Sequence, residues 1–120
     1  MKRDMELVRA ILTAAEAADG PYDPSELASC GWSMQAIAYH VELLQAHRLV
    51  DARVNRFKGG ASLSVLGLTW EGCDYLDAIR DERVWRETKR VIAESVGSAT
   101  MAVLKSTAVK VMERLIDAAI

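Results

Sequence analysis

Ser33 to Trp70 reads SMQAIAYHVELLQAHRLVDARVNRFKGGASLSVLGLTW, and the way this stretch folds decides the rest of the chain. Ile37, Val41 and Leu44 recur at helical spacing, joined by Leu43 and His40, so a helix is predicted from Ser33 to His47 with Gln35, Ala38, Tyr39, Glu42 and Ala46 outward. Leu49 to Asn55 then alternates, with Val50, Ala52 and Val54 on one side and Asp51, Arg53 and Asn55 on the other, which is half-buried strand behaviour. Leu63 to Leu68 has the matching run. Between the two, Arg56, Phe57, Lys58, Gly59 and Gly60 form a basic glycine turn, and Thr69 caps a further helix through Trp70, Cys73, Leu76 and Asp77.

Upstream, Leu7, Ile11, Ala14 and Ala18, with Val8, Leu12 and Ala15 beside them, predict a first helix capped by Asp4 and stopped at Gly20 and Pro21. Asp23, Pro24 and Glu26 sign a short helix: an aspartate cap, proline in the first turn, and an acid positioned to bond back to the cap amide. Leu27 and Ala28 give it a buried side. Cys30, Gly31 and Trp32 make a turn before Ser33 caps the long helix. A short helix, a glycine turn, a longer helix and a two-stranded ribbon together form the pattern of a winged helix-turn-helix. The expected fold class is mainly α with a small β-hairpin, followed by C-terminal helices.

Residues 1–80 are read as that domain and residues 81–120 as a helical extension. One extension helix runs from Asp81 to Val96 with Val84, Trp85, Thr88, Ile92 and Val96 inward. Gly97 and Ser98 break and recap the chain. The last helix sets Met101, Leu104, Ala108, Val111, Leu115 and Ala118 at alternating steps of three and four, a seam that a partner helix can fill, widened by Met112, Ile116 and Ala119. So broad a face has to be covered by the body of the same chain or by a second copy; the second copy is the expectation, with Met101, Leu104, Ala108, Val111 and Leu115 as dimerisation residues and a homodimer as the assembly.

The chain has 120 residues, enough for one ordinary core, and a net charge of -2 that advertises neither nucleic acid nor an anionic membrane. The distribution says more. Residues 1–47 are net -4 and residues 48–60 net +3, so positive charge gathers at the hairpin; residues 61–97 return to -2. Two widely spaced cysteines make no disulfide framework, and the charged N-terminus lacks the apolar core of a signal peptide, so a reducing, cytoplasmic setting is expected. The apolar-leaning run from Val96 to Ile120 is interrupted by Lys105, Lys110, Glu113, Arg114 and Asp117, which excludes a bilayer span.

Arg48, Arg53, Arg56 and Lys58 are candidates to grip phosphates, set against the plainer role of keeping a surface hairpin soluble. Gln35 has the chemistry to read an adenine edge and Tyr39 to meet phosphate or base. No lysine or arginine lies between Ser33 and His47, and Glu42 repels a phosphate backbone, so this helix alone holds DNA weakly. Phe57 is either a contact residue or folds back on the hairpin. His40, His47, Cys30 and Cys73 match no zinc finger or knuckle, and His40 lies on the apolar stripe, so no metal is expected. Cys73 and Ser33 lack a base at a catalytic spacing, and Gly59 and Gly60 are a hairpin turn, so neither a cofactor nor an enzymatic activity is expected. Trp32, Trp70 and Trp85 fall at element junctions, where a large ring closes the gap between helices.

Several strings resemble a known family. MKRDMELVR at Met1 to Arg9, the run Tyr39, His40, Val41, Leu43 and Leu44, and LTWEGCDYLDAI at Leu68 to Ile79 followed by Val84, Trp85 and Lys89 resemble a "domain of unknown function" family of bacteria, phages and prophages. That resemblance implies a winged helix and a mobile-element context and carries over no catalytic residue. Where the family reads A-G-L before the hairpin, this chain has His47, Arg48 and Leu49, and Cys73 stands where a histidine often does. A non-glycine residue in the left-handed region costs roughly 1 kcal/mol, so either the helix ends differently here or the arginine is kept for contact.

The function expected is a phage-type or prophage-type DNA-binding transcriptional regulator acting as a homodimer. The alternative is a protein-interaction module, such as an inhibitor of a host defence complex, which would present Asp74, Asp77, Asp81 and Glu82 to a basic host protein.

Overall fold

The computed structural model describes residues 1–120. Its order is α1 (Met5–Ala17), a 3-10 helix (Pro24–Cys30), α2 (Met34–Ala46), β1 (Val50–Phe57), β2 (Gly60–Leu68), α3 (Trp70–Ile79), α4 (Glu82–Ser95) and α5 (Met101–Ala119). The chain is mainly helical, with one antiparallel two-stranded hairpin and C-terminal helices. None of its helices is long and apolar enough to cross a membrane.

Two compact units divide the chain between Asp74 and Tyr75, inside α3. In the first, α1 packs on α2 and β2, and α2 packs on β1. Leu7, Ile11, Leu12, Ile37, Val41, Leu44, Val50 and Val65 are buried there, the positions that helical and strand periodicity place inward. A polar knot fixes the entry of α1. The Asp4 carboxylate accepts from the amides of Glu6 and Leu7 and from the indole N–H of Trp32, while the Asp4 amide donates to His40 Nε2 at 2.7 Å. His40 is 1% exposed, and its Nδ1 lies 2.7 Å from the carbonyl of Ala36. The neutral imidazole with its proton on Nδ1 satisfies both contacts, so His40 is a tie between α1 and α2.

The hairpin joins Phe57 to Gly60, and Gly59 takes the φ of +101° that an L side chain rarely adopts. Its register slips by one residue between Asp51 and Ala52, leaving Leu66 unpaired and outward on β2. Tyr22 adds a third, one-residue strand by exchanging two hydrogen bonds with Val65.

In the second unit, α4 packs on α5 through Val84, Trp85, Thr88 and Ile92 on one side and Met101, Leu104, Ala108 and Val111 on the other. The Tyr75 hydroxyl donates to the Met101 carbonyl.

Several expectations are corrected. Helix α1 ends at Ala17, with Ala18 already extended, before Gly20 and Pro21 are reached. Ala28 is exposed, because a 3-10 helix repeats every three residues and turns Pro24 and Leu27 inward together. Glu26 accepts from the Tyr22 hydroxyl at 2.6 Å instead of closing a capping box. Ala38 is buried, since a small side chain lets α2 lie close to its neighbours. Val96 is exposed because α4 stops at Ser95, and Thr100, not Ser98, caps α5. Trp32 is half-buried and Trp85 buried, but Trp70 is 81% exposed at the first position of α3 and closes no gap. Of the expected dimerisation residues, Met101, Leu104, Ala108 and Val111 are covered by the chain itself, since α4 supplies their apolar partners; Leu115 is 39% exposed.

Candidate nucleic-acid interface

The hairpin lies alongside α2. A groove of about 600 Å³ separates them, with Glu42 and Gln45 of α2 on one wall and Ala52 to Arg56 of β1 on the other. Arg56 reaches across this groove to form an ion pair with Glu42. Arg53 lines the same groove and makes no ion pair, and Lys58 is exposed and unpaired at the hairpin turn. Phe57 is 61% exposed while its ring edge stands 3.5 Å from where a Cβ on Gly60 would sit, so it both turns back toward the hairpin and remains accessible.

A second hollow, of about 650 Å³, shares Gln45 and continues past His47, Arg48 and Asp51 to Thr69 and Glu71. Its shape is set by the end of α2. The Leu49 amide donates to the Leu44 carbonyl and the Arg48 amide to the Gln45 carbonyl, the paired closure that requires a left-handed residue between helix and strand. Arg48 is that residue, at φ +62°. Helix α2 therefore ends as a glycine-terminated helix would, and the arginine carries the conformational cost.

The threonine-to-glycine junction locks on to this turn. Thr69 Oγ1 donates to the Arg48 carbonyl at 2.7 Å and accepts from the Gly72 amide at 3.0 Å, while the Thr69 amide donates to the Leu49 carbonyl. A Cβ on Gly72 would stand 1.9 Å from the Leu49 carbonyl oxygen, so only glycine admits α3 this close. The exposed Arg48 side chain is thus carried on a backbone fixed from both sides.

Gln35 is exposed and Tyr39 half-buried, its ring edge-on to His40 at 5.6 Å. Both lie on the N-terminal half of α2. Gln35 is seven residues back from Glu42, roughly 10 Å along the helix axis. The structure thus gathers Arg53 and Arg56 with Glu42 and Gln45, sets Arg48 in the adjoining hollow, and leaves Gln35 and Tyr39 on a separate part of the same helix. Neither the Glu42–Arg56 pair nor the Asp4–His40 bond has a sequence signal, because their members are 14 and 36 residues apart.

Among the acidic residues of the interaction alternative, Asp74 is free, Asp77 pairs with Arg80, and Glu82 is exposed. Asp81 is the cap of α4. The Val84 amide, then the amide and the guanidinium of Arg83, hold its carboxyl below the usual carboxylate range. No group of three His, Cys, Asp or Glu side chains is placed to hold a metal ion, and Cys30 and Cys73 are free thiols.

The family described as "Hypothetical protein (DUF2513)" matches residues 2–99. The chain belongs to that family. A relative described as "Uncharacterized protein" from Haemophilus influenzae (strain ATCC 51907 / DSM 11121 / KW20 / Rd) is 29% identical over 119 residues, covering 97% of this chain and 99% of the relative. No solved structure matches. The DUF2513 match contains α1 to α4 with the hairpin and stops short of α5, so both hollows lie within the family's span.

Proposed function

We propose that this DUF2513 protein is a winged-helix DNA-binding regulator of phage or prophage type. The hairpin is its wing and α2 its recognition helix. The single observation that carries the reading is the common groove of α2 and β1, in which an exposed, unpaired Arg53 stands beside Arg56, with Arg48 and Lys58 at either end of the strand. These side chains would grip phosphates, while Gln35 and Tyr39 meet the base edges and backbone of the major groove. An arginine at this left-handed position also supports the reading, because glycine would relieve the strain and leave no charge there.

Binding is expected to be weak per copy, since Glu42 occupies Arg56 and Asp51 and Glu71 lie beside Arg48. Pairing of two copies turns a weak half-site into useful affinity. The test is fluorescence anisotropy with duplex from upstream of the protein's own gene and with unrelated duplex, across a salt series. Alanine at Arg53 and Lys58 should lower the salt slope by about two, one released counterion for each phosphate lost. Absence of binding at low salt, or an unchanged slope, removes the proposal.

One observation favours a second reading, a protein-interaction module acting on a host complex: Trp70 is exposed beside the unpaired Glu71 and Asp74. Recovery of a defined host complex that depends on Trp70, together with no DNA binding at any salt, would select it.

A further inference from the structure

Between α4 and α5 runs a groove of about 670 Å³, floored by Val111 and the 39%-exposed Leu115. Arg83, Arg86 and Arg90 form one wall at successive helical steps of three and four, and Arg114 of α5 stands opposite. Glu87 is the one acid in the lining and is engaged by Arg90, which also holds Glu94. Arg83 reaches Asp81 at 3.5 Å and Arg114 bears electrostatically on Glu87 without forming a salt bridge, whereas Arg86 makes no ion pair. The groove therefore has an apolar floor and spare positive charge.

Two requirements select its occupant. A bare phosphate chain would neutralise the rim but leave the floor wet. A second groove laid against the first would set arginines on arginines, and like charges repel. An acidic helix face bearing one large apolar side chain satisfies both rim and floor. The chain itself carries such a face: the N-terminal half of α3 exposes Trp70, with Glu71 and Asp74 beside it and no ion pair on either acid.

We infer that two copies of this chain associate with the Trp70–Glu71–Asp74 face of one seated in the arginine-rimmed α4–α5 groove of the other. The indole covers Leu115 and stacks on a guanidinium, and the two carboxylates meet Arg86 and Arg114. The contact is heterologous: reciprocal engagement closes a pair, and one-sided engagement extends a chain of copies. This pairing does not rest on the DNA-binding proposal.

Sedimentation velocity of the full chain at rising concentration tests it. Assembly should grow with concentration and weaken with added salt. The groove variant R86E/R114E and the face variant E71R/D74R should each lose at least tenfold in association constant, with the circular-dichroism spectrum unchanged because all four side chains are exposed. Mixing the two variants one to one should restore assembly, since each reversed groove then meets a reversed face. A wild-type chain that stays monomeric, a groove variant that assembles as well as wild type, or a mixture that stays monomeric would each overturn the inference.

Discussion

Replacing Glu42 by glutamine isolates the electrostatics of the proposed wing. Glu42 and Arg56 form an ion pair across the α2–β1 groove with side chains 42% and 57% exposed, so water screens it and its loss should change folding stability by less than about 1 kcal/mol. Glutamine keeps the shape, deletes a negative charge from the proposed DNA-facing groove, and frees the Arg56 guanidinium. A freed guanidinium that reaches one more phosphate adds about 0.9 to the slope of log affinity against log salt, which corresponds to nearly a tenfold gain at about 0.1 M salt that fades toward about 1 M. Anisotropy titrations of wild type and Glu42→Gln at four or more salt concentrations, with a urea melt of each, separate the terms. Unchanged affinity and slope with an unchanged melt would refute the placement of DNA in this groove, since a charge deleted from a true phosphate-binding surface has to register.

Gly72→Ala should destabilise the fold by about 3 kcal/mol or more in denaturant melts, because its methyl meets a backbone carbonyl that cannot swing aside. Arg48→Gly should raise stability by up to about 1 kcal/mol, the left-handed strain relieved exceeding the extra chain entropy, while DNA affinity falls; both lowered together would refute the assignment of Arg48 to contact. Burial, and then the Glu26 carboxylate, push the Tyr22 hydroxyl above its ordinary value. The folded state thus holds that proton longer than the unfolded one, so stability falls as pH rises past about 10, and Tyr22→Phe should flatten that fall relative to wild type.

How much was legible in the residues depends on the range of the interaction. Periodicity and caps are local, so α1, α2, the hairpin and the caps at Asp4, Asp23, Ser33 and Thr69 could be read from spacing alone. The string LTWEG was recognisable before its reason was. Only the folded chain shows that Thr69 ties down the Arg48 carbonyl and that Gly72 makes room for Leu49. The sequence by itself settled which residues are basic and that net positive charge gathers between 48 and 60. Tertiary structure decided which of them are free, because an ion pair such as Glu42–Arg56 depends on how a strand lies against a helix. It likewise decided the fate of α5: an apolar stripe has the same spacing whether its partner comes from the same chain or another, and here α4 covers Met101, Leu104, Ala108 and Val111.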